Sequence, residues 1–218
     1  MNVKVLQDIS ELVDDNLYDC PDHPLLLILS GPSGVGKDTV ARKLIERRPD
    51  SFYFVVTATT RPPRDNERHG VDYFFVSFDE FARMIEEGEL LEHAIVYNDY
   101  KGIPKQQIRD ALASGRDVVL RVDVQGASTV RRFVPNAISV FLTTHTEQNL
   151  IERLKSRKQD SAEGIALRTA TVRQEMKRVD EFDYCVVNPE GDPEEAVNRI
   201  LSIIDAAHCR INQEPVIL

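Results

Sequence analysis

The 218-residue chain carries 27 basic and 36 acidic side chains, a net charge of −9, which excludes a protein whose task is to hold a nucleic-acid backbone, since that needs clustered positive charge. Its length suits one domain with insertions, and no apolar run nears the roughly 18 residues of a membrane helix, so a soluble protein with no membrane partner is expected. Three scattered cysteines, Cys20, Cys185 and Cys209, lack C-x-x-C spacing, which points to neither a disulfide framework nor a zinc site and makes a reducing compartment the default.

Residues 1–23 include Glu11, Asp14, Asp15 and Asp19, unlike a transit peptide or secretory signal, and read as a short helix or arm. An apolar strand, Leu25–Leu29, leads into Gly31-Pro32-Ser33-Gly34-Val35-Gly36-Lys37, and a helical pattern runs from Asp38 to Arg48, stopped by Pro49. Strand, glycine turn and helix together aim backbone N–H groups and a helix N-terminus at an anion, while Lys37 reaches outer phosphates. The ligand this predicts is a nucleoside triphosphate. A Ser or Thr usually follows the lysine and holds Mg²⁺; here Asp38 and then Thr39 follow, and either oxygen donor suits that ion.

Further apolar strands are expected at Phe52–Ala58, Asp117–Val122, Ala137–Leu142 and Tyr184–Val187, with helices at Pro104–Ser114, Gln125–Phe133, Thr146–Arg157, Gly164–Arg178 and Pro193–His208. Five short, nearly continuous apolar strands alternating with helices predict a three-layer α/β core around a parallel sheet. The stretch from Thr60 to Gly102 breaks this rhythm. Its basic loop is followed by a strand at Tyr73–Val76, a capping box at Ser77 and Glu80 opening a helix that ends before Gly88, and a strand at about Leu90–Tyr97, the pattern of an inserted β-rich subdomain. Lys158–Glu163 joins two arginine-bearing helices and reads as a mobile lid.

Arg61 and Arg64 lie three apart on a proline-stiffened loop at a strand's C-terminal end, where open α/β sheets bind ligands, and their planar guanidinium groups suit phosphate. Asp123 ends an apolar strand, the position of a carboxylate that helps hold Mg²⁺, although Asp also suits turns. Arg121, charged at the end of a buried strand, calls for an acidic partner or ligand. Arg153 and Arg157 share a helix face and, with Arg168 beyond the loop, could close over a triphosphate; a solvated helix face is the alternative. The five histidines show no metal spacing, and no G-x-S-x-G elbow occurs.

The glycine loop, Thr59-Thr60-Arg61-Pro62-Pro63-Arg64, Gly70-Val71-Asp72-Tyr73-Phe74-Phe75-Val76, Leu91-Glu92-His93-Ala94, Val122-Asp123-Val124-Gln125-Gly126 and Val186-Val187-Asn188 together resemble guanylate kinase, in order from about Leu25 to Asp205. The resemblance implies transfer of the γ-phosphoryl group of ATP to GMP, with Mg²⁺. It implies a P-loop core at about 24–59, 103–152 and 169–208, a GMP-binding insert at about 60–102 and a helical lid at about 153–168. It assigns Arg61, Arg64 and Tyr73 to the acceptor phosphate, and Thr57, Glu92 and Asp123 to guanine. Asn188 falls at the adenine end of ATP, and Arg153, Arg157 and Arg168 fall on the lid arginines.

The chemistry is consistent: a carboxylate accepts guanine's N1–H and N2–H₂ together, and adenine would leave it unpaired. Lys101 stands where many members carry a tyrosine on the acceptor phosphate, Ile103 where they carry a hydroxyl near the base, and Arg121 where an aspartate is common. With Asp38, these departures resemble a subclass of plant organelles and some bacteria, and the metal is assigned to Asp38 or Thr39 with Asp123 as a further candidate. A silent phosphopeptide-binding module and a kinase of dGMP or another monophosphate are the competing readings. A cytoplasmic monomer or homodimer is expected, or a plastid or mitochondrial enzyme if a presequence has been removed.

Overall fold

The computed structural model describes residues 22–65, 67–96, 99–155 and 162–218, and of these all side chains except those of Val96, Lys155 and 162–168. The expected arm (all but Asp22 and His23), Cys20, Tyr97, Arg157 and most of the Lys158–Glu163 loop lie outside the described residues, as does the side chain of Arg168.

Five strands form a parallel sheet: β1 (Leu26–Ser30), β2 (Phe52–Phe54), β7 (Asp117–Arg121), β8 (Ile138–Thr143) and β9 (Tyr184–Val187), in the order β2-β7-β1-β8-β9. Every residue of β1 and β8 is buried, which is why their sequences run apolar without alternation. Alternate residues of the first strand serve opposite faces. Leu25, Leu27 and Leu29 join α1 (Lys37–Arg47) and α7 (Pro193–His208), while Leu26 and Ile28 pack with α3 (Lys105–Ala113) and α4 (Val124–Phe133). That is the expected three-layer core.

α1 turns Val40, Ala41 and Leu44 inward and α7 turns Ala196, Val197, Ile200, Leu201, Ile204 and Ala207 inward, the i, i+4 stripe of a helix on a sheet. Each fully buried Leu, Ile or Val contributes about 1.5–3 kcal/mol. On their outer sides Lys43 and Arg47 both pair with Glu194, fixing the helices' relative register.

A second, four-stranded sheet has the order β4-β3-β6-β5, from β3 (Ala58–Thr59), β4 (Phe74–Phe75), β5 (Leu90–Val96) and β6 (Asp99–Pro104). Its helix, α2 (Phe78–Glu86), begins at the expected cap, where Ser77 Oγ accepts from the Glu80 amide at 3.1 Å. The strand expected at Phe52–Ala58 is two strands in different sheets. Phe52–Phe54 pairs with β7, whereas Ala58–Thr59 pairs with β4 and β6. The chain thus leaves the core sheet and enters the insert between Phe54 and Ala58, so a continuous apolar run conceals the junction. Strand β6 also escaped the periodicity, because its Lys101-Gly102-Ile103 centre has neither clean alternation nor an apolar run.

Helices α5 (Glu147–Lys155) and α6 (Ala162–Met176) follow β8, and a 3₁₀ turn at Val179–Glu181 precedes β9. No helix among the described residues is long and apolar enough to cross a membrane.

Candidate active site

The loop between β1 and α1 has the backbone its glycines require. Gly36 caps α1 at φ +98°, and a Cβ there would stand 2.5 Å from Asn188 Nδ2; a Cβ on Gly31, at φ +136°, would stand 2.2 Å from the Leu142 carbonyl oxygen. Both conditions exclude a side chain. Lys37 Nζ donates to the carbonyls of Gly31 and Pro32 at 2.5 and 3.1 Å. Burial lowers its pKa, and the carboxylates of Glu175, Asp38 and Asp123 act in the opposite sense.

Two neighbours complete the loop. Asn188, buried at the end of β9, donates from Nδ2 to the Val35 carbonyl at 2.8 Å, and Arg153 on α5 donates to the carbonyls of Val35 and Asn188, both at 3.1 Å. The Asn188 Oδ1 atom is buried and accepts no hydrogen bond among the described residues. On the loop's other side the Ser33 amide donates to Glu175 Oε2 at 3.2 Å. Burial raises the Glu175 pKa, while the Ser33 amide and Lys37 act against that rise. A carboxylate of the protein therefore accepts from a backbone amide of the glycine loop. No sequence signal pointed to Glu175, which lies inside an ordinary helical pattern.

Asp38 opens α1 and its Oδ1 accepts from Arg121 Nη1, so the acidic partner that Arg121 required is the residue that replaces the usual loop hydroxyl. Arg121 ends β7 with its side chain 19% exposed, whereas that of Asp38 is 59% exposed. Its Nη2 lies 3.5 Å from the Tyr73 hydroxyl, and its guanidinium stands over the rings of Phe54 and Tyr73 at 5.4 and 5.7 Å. Burial opposes the charge, but Asp38 and Tyr73 outweigh it and raise the Arg121 pKa.

Tyr73 gathers two more cations. The Arg61 guanidinium lies 5.2 Å from the ring centroid and Lys101 Nζ 5.6 Å. Arg61 and Arg121 are thus no more than about 11 Å apart; as bare charges they would repel by about 1.5 kcal/mol at an effective dielectric of 20, and the carboxylates they engage, Glu67 and Asp38, offset that repulsion as an anion between them would. Arg61 is held by Glu67, which accepts from both its terminal nitrogens at 2.8 and 2.9 Å. That hydrogen bonding raises the Arg61 pKa and lowers that of Glu67. Arg64 is exposed and engages Glu67 through its backbone amide.

Glu92 on β5 faces the first turn of α4. Asp123 caps that helix, its Oδ1 accepting from the Gly126 amide at 2.8 Å, and a Cβ on Gly126 would stand 3.4 Å from Glu92 Cδ and Oε1. The missing side chain of Gly126 keeps the space beside the carboxyl open. Burial, and secondarily the Asp123 charge, raises the Glu92 pKa from 4.5 to about 7. Ile103 opposes Glu92 across the hairpin and is buried in the apolar cluster with Leu91 and Ile108. Thr57, between β2 and β3, accepts from the Phe74 amide through its carbonyl.

Asn188 and Arg153 thus border the glycine loop, Arg121 links Asp38 at the start of α1 to Tyr73, Arg61 and Lys101 gather on the same tyrosine, and Glu92 lies beside Asp123, while Thr39 follows Asp38 on α1. Arg157 and the Arg168 side chain lie outside the described residues.

Comparison with known proteins shows the family. The family model for guanylate kinase matches residues 24–207. A rice (Oryza sativa subsp. japonica) protein named guanylate kinase 2, chloroplastic/mitochondrial, is 51% identical over 197 residues, covering 90% of this chain and 69% of that protein. A guanylate kinase of Xylella fastidiosa strain Temecula1 is 43% identical over 185 residues, covering 85% of this chain and 89% of that one. A crystal structure of guanylate kinase from Anaplasma phagocytophilum superposes with a TM-score of 0.70 at 29% identity, covering 88% and 89% of the two chains.

Proposed function

The chain belongs to the guanylate kinase family, and from that premise we propose how its own residues carry the γ-phosphoryl group of ATP to GMP. In this reaction a phosphate oxygen of GMP forms a bond to the γ-phosphorus, and the bond from that phosphorus to the β–γ bridging oxygen breaks. ADP leaves with the electron pair. An acceptor that is already an anion needs no strong base, so catalysis consists of positioning and charge stabilisation.

Lys37 and the loop amides hold the β- and γ-phosphates, and to do so the triphosphate displaces the Glu175 carboxylate from the Ser33 amide and draws Lys37 from its two carbonyls. Asn188 and Arg153 keep the loop closed around its glycines and border the adenine end. Arg61, Arg64 and Tyr73, with Lys101, hold the acceptor phosphate. Glu92 as carboxylate accepts the guanine N1–H and N2–H₂, with Thr57 and Asp123 beside the base. The insert at about 60–102 and the lid at about 153–168, with Arg153, Arg157 and Arg168, close over both nucleotides and exclude water, which would otherwise hydrolyse ATP.

Guanylate kinases work with a divalent cation. The donors at the start of α1, the Asp38 carboxylate and the Thr39 hydroxyl, are hard oxygens that fit Mg²⁺, and they are the residues that would hold it beside the phosphates, whose charge it would neutralise. The donor set departs from the usual hydroxyl because Asp38 follows the lysine, and with one Asp38 oxygen engaged by Arg121 it is the other that would face the ion.

The observation that carries this reading is the gathering of Arg61, Lys101 and Arg121 around Tyr73, with Arg121 linking that cluster to Asp38 beside the glycine loop and Lys37. A silent binding module would have no use for that loop. Lys37→Ala should retain the fold by circular dichroism and lose at least about a hundredfold in kcat; a variant with normal turnover would contradict the assignment. The rice relative's name makes the plastid and the mitochondrion compartments to weigh against the cytoplasm, and fractionation of the source cells decides among them.

A further inference from the structure

Arg121 stands between the two ends of the site and has a role in neither so far. It leaves the last residue of β7, reaches back to Asp38 at the start of α1 and forward to within 3.5 Å of the Tyr73 hydroxyl. Its planar surface rests against Phe54 and Tyr73, which fixes the fork's orientation. One nitrogen is tied to a carboxylate whose side chain is mostly exposed, while the other lies beside the tyrosine that Arg61 and Lys101 also face.

We propose that Arg121 is a catalytic residue that grips the acceptor phosphate from the donor side, and that Asp38 holds the guanidinium in place while no nucleotide is bound. This rests on the guanylate kinase reading and deepens it at one residue. Three cations meet around one tyrosine: the Arg61 fork is held on Glu67, while the Lys101 ammonium and the Arg121 nitrogen beside Tyr73 present donors that a tetrahedral phosphate can satisfy with several oxygens at once. Of the three, Arg121 alone also contacts the glycine loop's helix, so it alone touches both nucleotide sites and can set the acceptor oxygen in line with the γ-phosphorus. Asp38 supplies in the empty enzyme the negative charge that phosphate supplies in the complex. It therefore competes with GMP for the guanidinium, and the two replacements, an acid at the loop and a base at the strand end, act as one unit.

Binding without turnover tests this. GMP and guanosine, which share the base but not the phosphate, are titrated calorimetrically into wild type, Arg121→Gln, Asp38→Asn and the double variant, without ATP or metal. Arg121→Gln should weaken GMP at least tenfold and change guanosine less than twofold. Asp38→Asn should tighten GMP severalfold in the wild-type background and leave it unchanged when Arg121 is already Gln, because the competitor matters only while the guanidinium is there. If Arg121→Gln does not fold, Arg121→Lys serves in the same cycle, since lysine keeps the charge and loses the fork; the gain from Asp38→Asn should then shrink.

Equal GMP affinity for wild type and Arg121→Gln would overturn the proposal, as would equal losses for GMP and guanosine, which mark a structural role, or an Asp38→Asn effect of the same size in both backgrounds, which marks long-range charge alone. Failure of the wild type to bind GMP at all would instead refute the kinase reading beneath it.

Discussion

Glu92→Gln separates recognition of guanine from stability of the fold, because the structure demands opposite signs for the two. The Glu92 carboxyl is half-buried, with a pKa raised by burial to about 7, yet guanine presents donors and needs it ionised. Removing the charge takes away hydrogen bonds to a charged acceptor, about 1.5–3 kcal/mol, or roughly 10- to 150-fold in GMP affinity at pH 8. Below its pKa the wild-type carboxyl must lose a proton before GMP binds. With a pKa of about 7, affinity should fall roughly tenfold from pH 8 to pH 6 beyond any change in the variant. The GMP phosphate titrates in the same range, with a second pKa of about 6, and its effect is common to both proteins.

Stability runs the other way. A carboxyl whose pKa is raised by folding costs nothing below its unfolded value of 4.5; the cost develops as pH rises to about 7 and persists above it. The upper bound is about 3 kcal/mol, reduced here because the group is partly exposed. Without ligand, Glu92→Gln should therefore melt higher than wild type at pH 8 and equally at pH 4. Calorimetric titration with GMP at pH 6 and 8, with thermal unfolding of the free proteins, reads both signs. A variant that binds GMP with the wild type's pH dependence, or that is less stable at pH 8, would show that Glu92 is not the ionised acceptor of the base.

Gly36→Ala should lower the melting temperature by about 4–10 °C, since the left-handed backbone costs about 1–2 kcal/mol and Asn188 must give up its bond to Val35; a fall below about 1 °C would show that the loop relaxes freely. Glu175→Gln should tighten ATP severalfold in equilibrium binding, because it removes a carboxylate that competes for the Ser33 amide beside Lys37; weaker binding would show that Glu175 supports the loop.

The parallel sheet and its helices were legible because burial on both faces leaves uninterrupted apolar runs, and α7 begins and ends where its proline and histidine indicated. The helix of the second sheet was legible through the Ser77 cap, but where the chain enters that sheet was not, since Phe52–Ala58 looks the same whether it forms one strand or two. Within the site, Lys37 could be read from local spacing alone, whereas Glu92 needed the family resemblance, because its nearness to Asp123 depends on packing between β5 and α4. Arg121 announced that it needed an acid but not which one. Glu175 reaches the Ser33 amide across 142 residues of sequence, and Gly126 acquires its meaning only from the carboxyl that approaches it; no local pattern encodes such pairings.

The most direct measurement of the central claim is ADP formation from ATP with Mg²⁺ when GMP, dGMP, AMP, UMP and CMP are offered separately. Two phosphate sites joined through Arg121, with a single carboxylate selecting the base, predict rapid turnover with GMP, slower or equal turnover with dGMP, and kcat/KM at least about a hundredfold lower for the other three. Comparable rates with AMP or a pyrimidine nucleotide, or ADP release that ignores the acceptor, would contradict it.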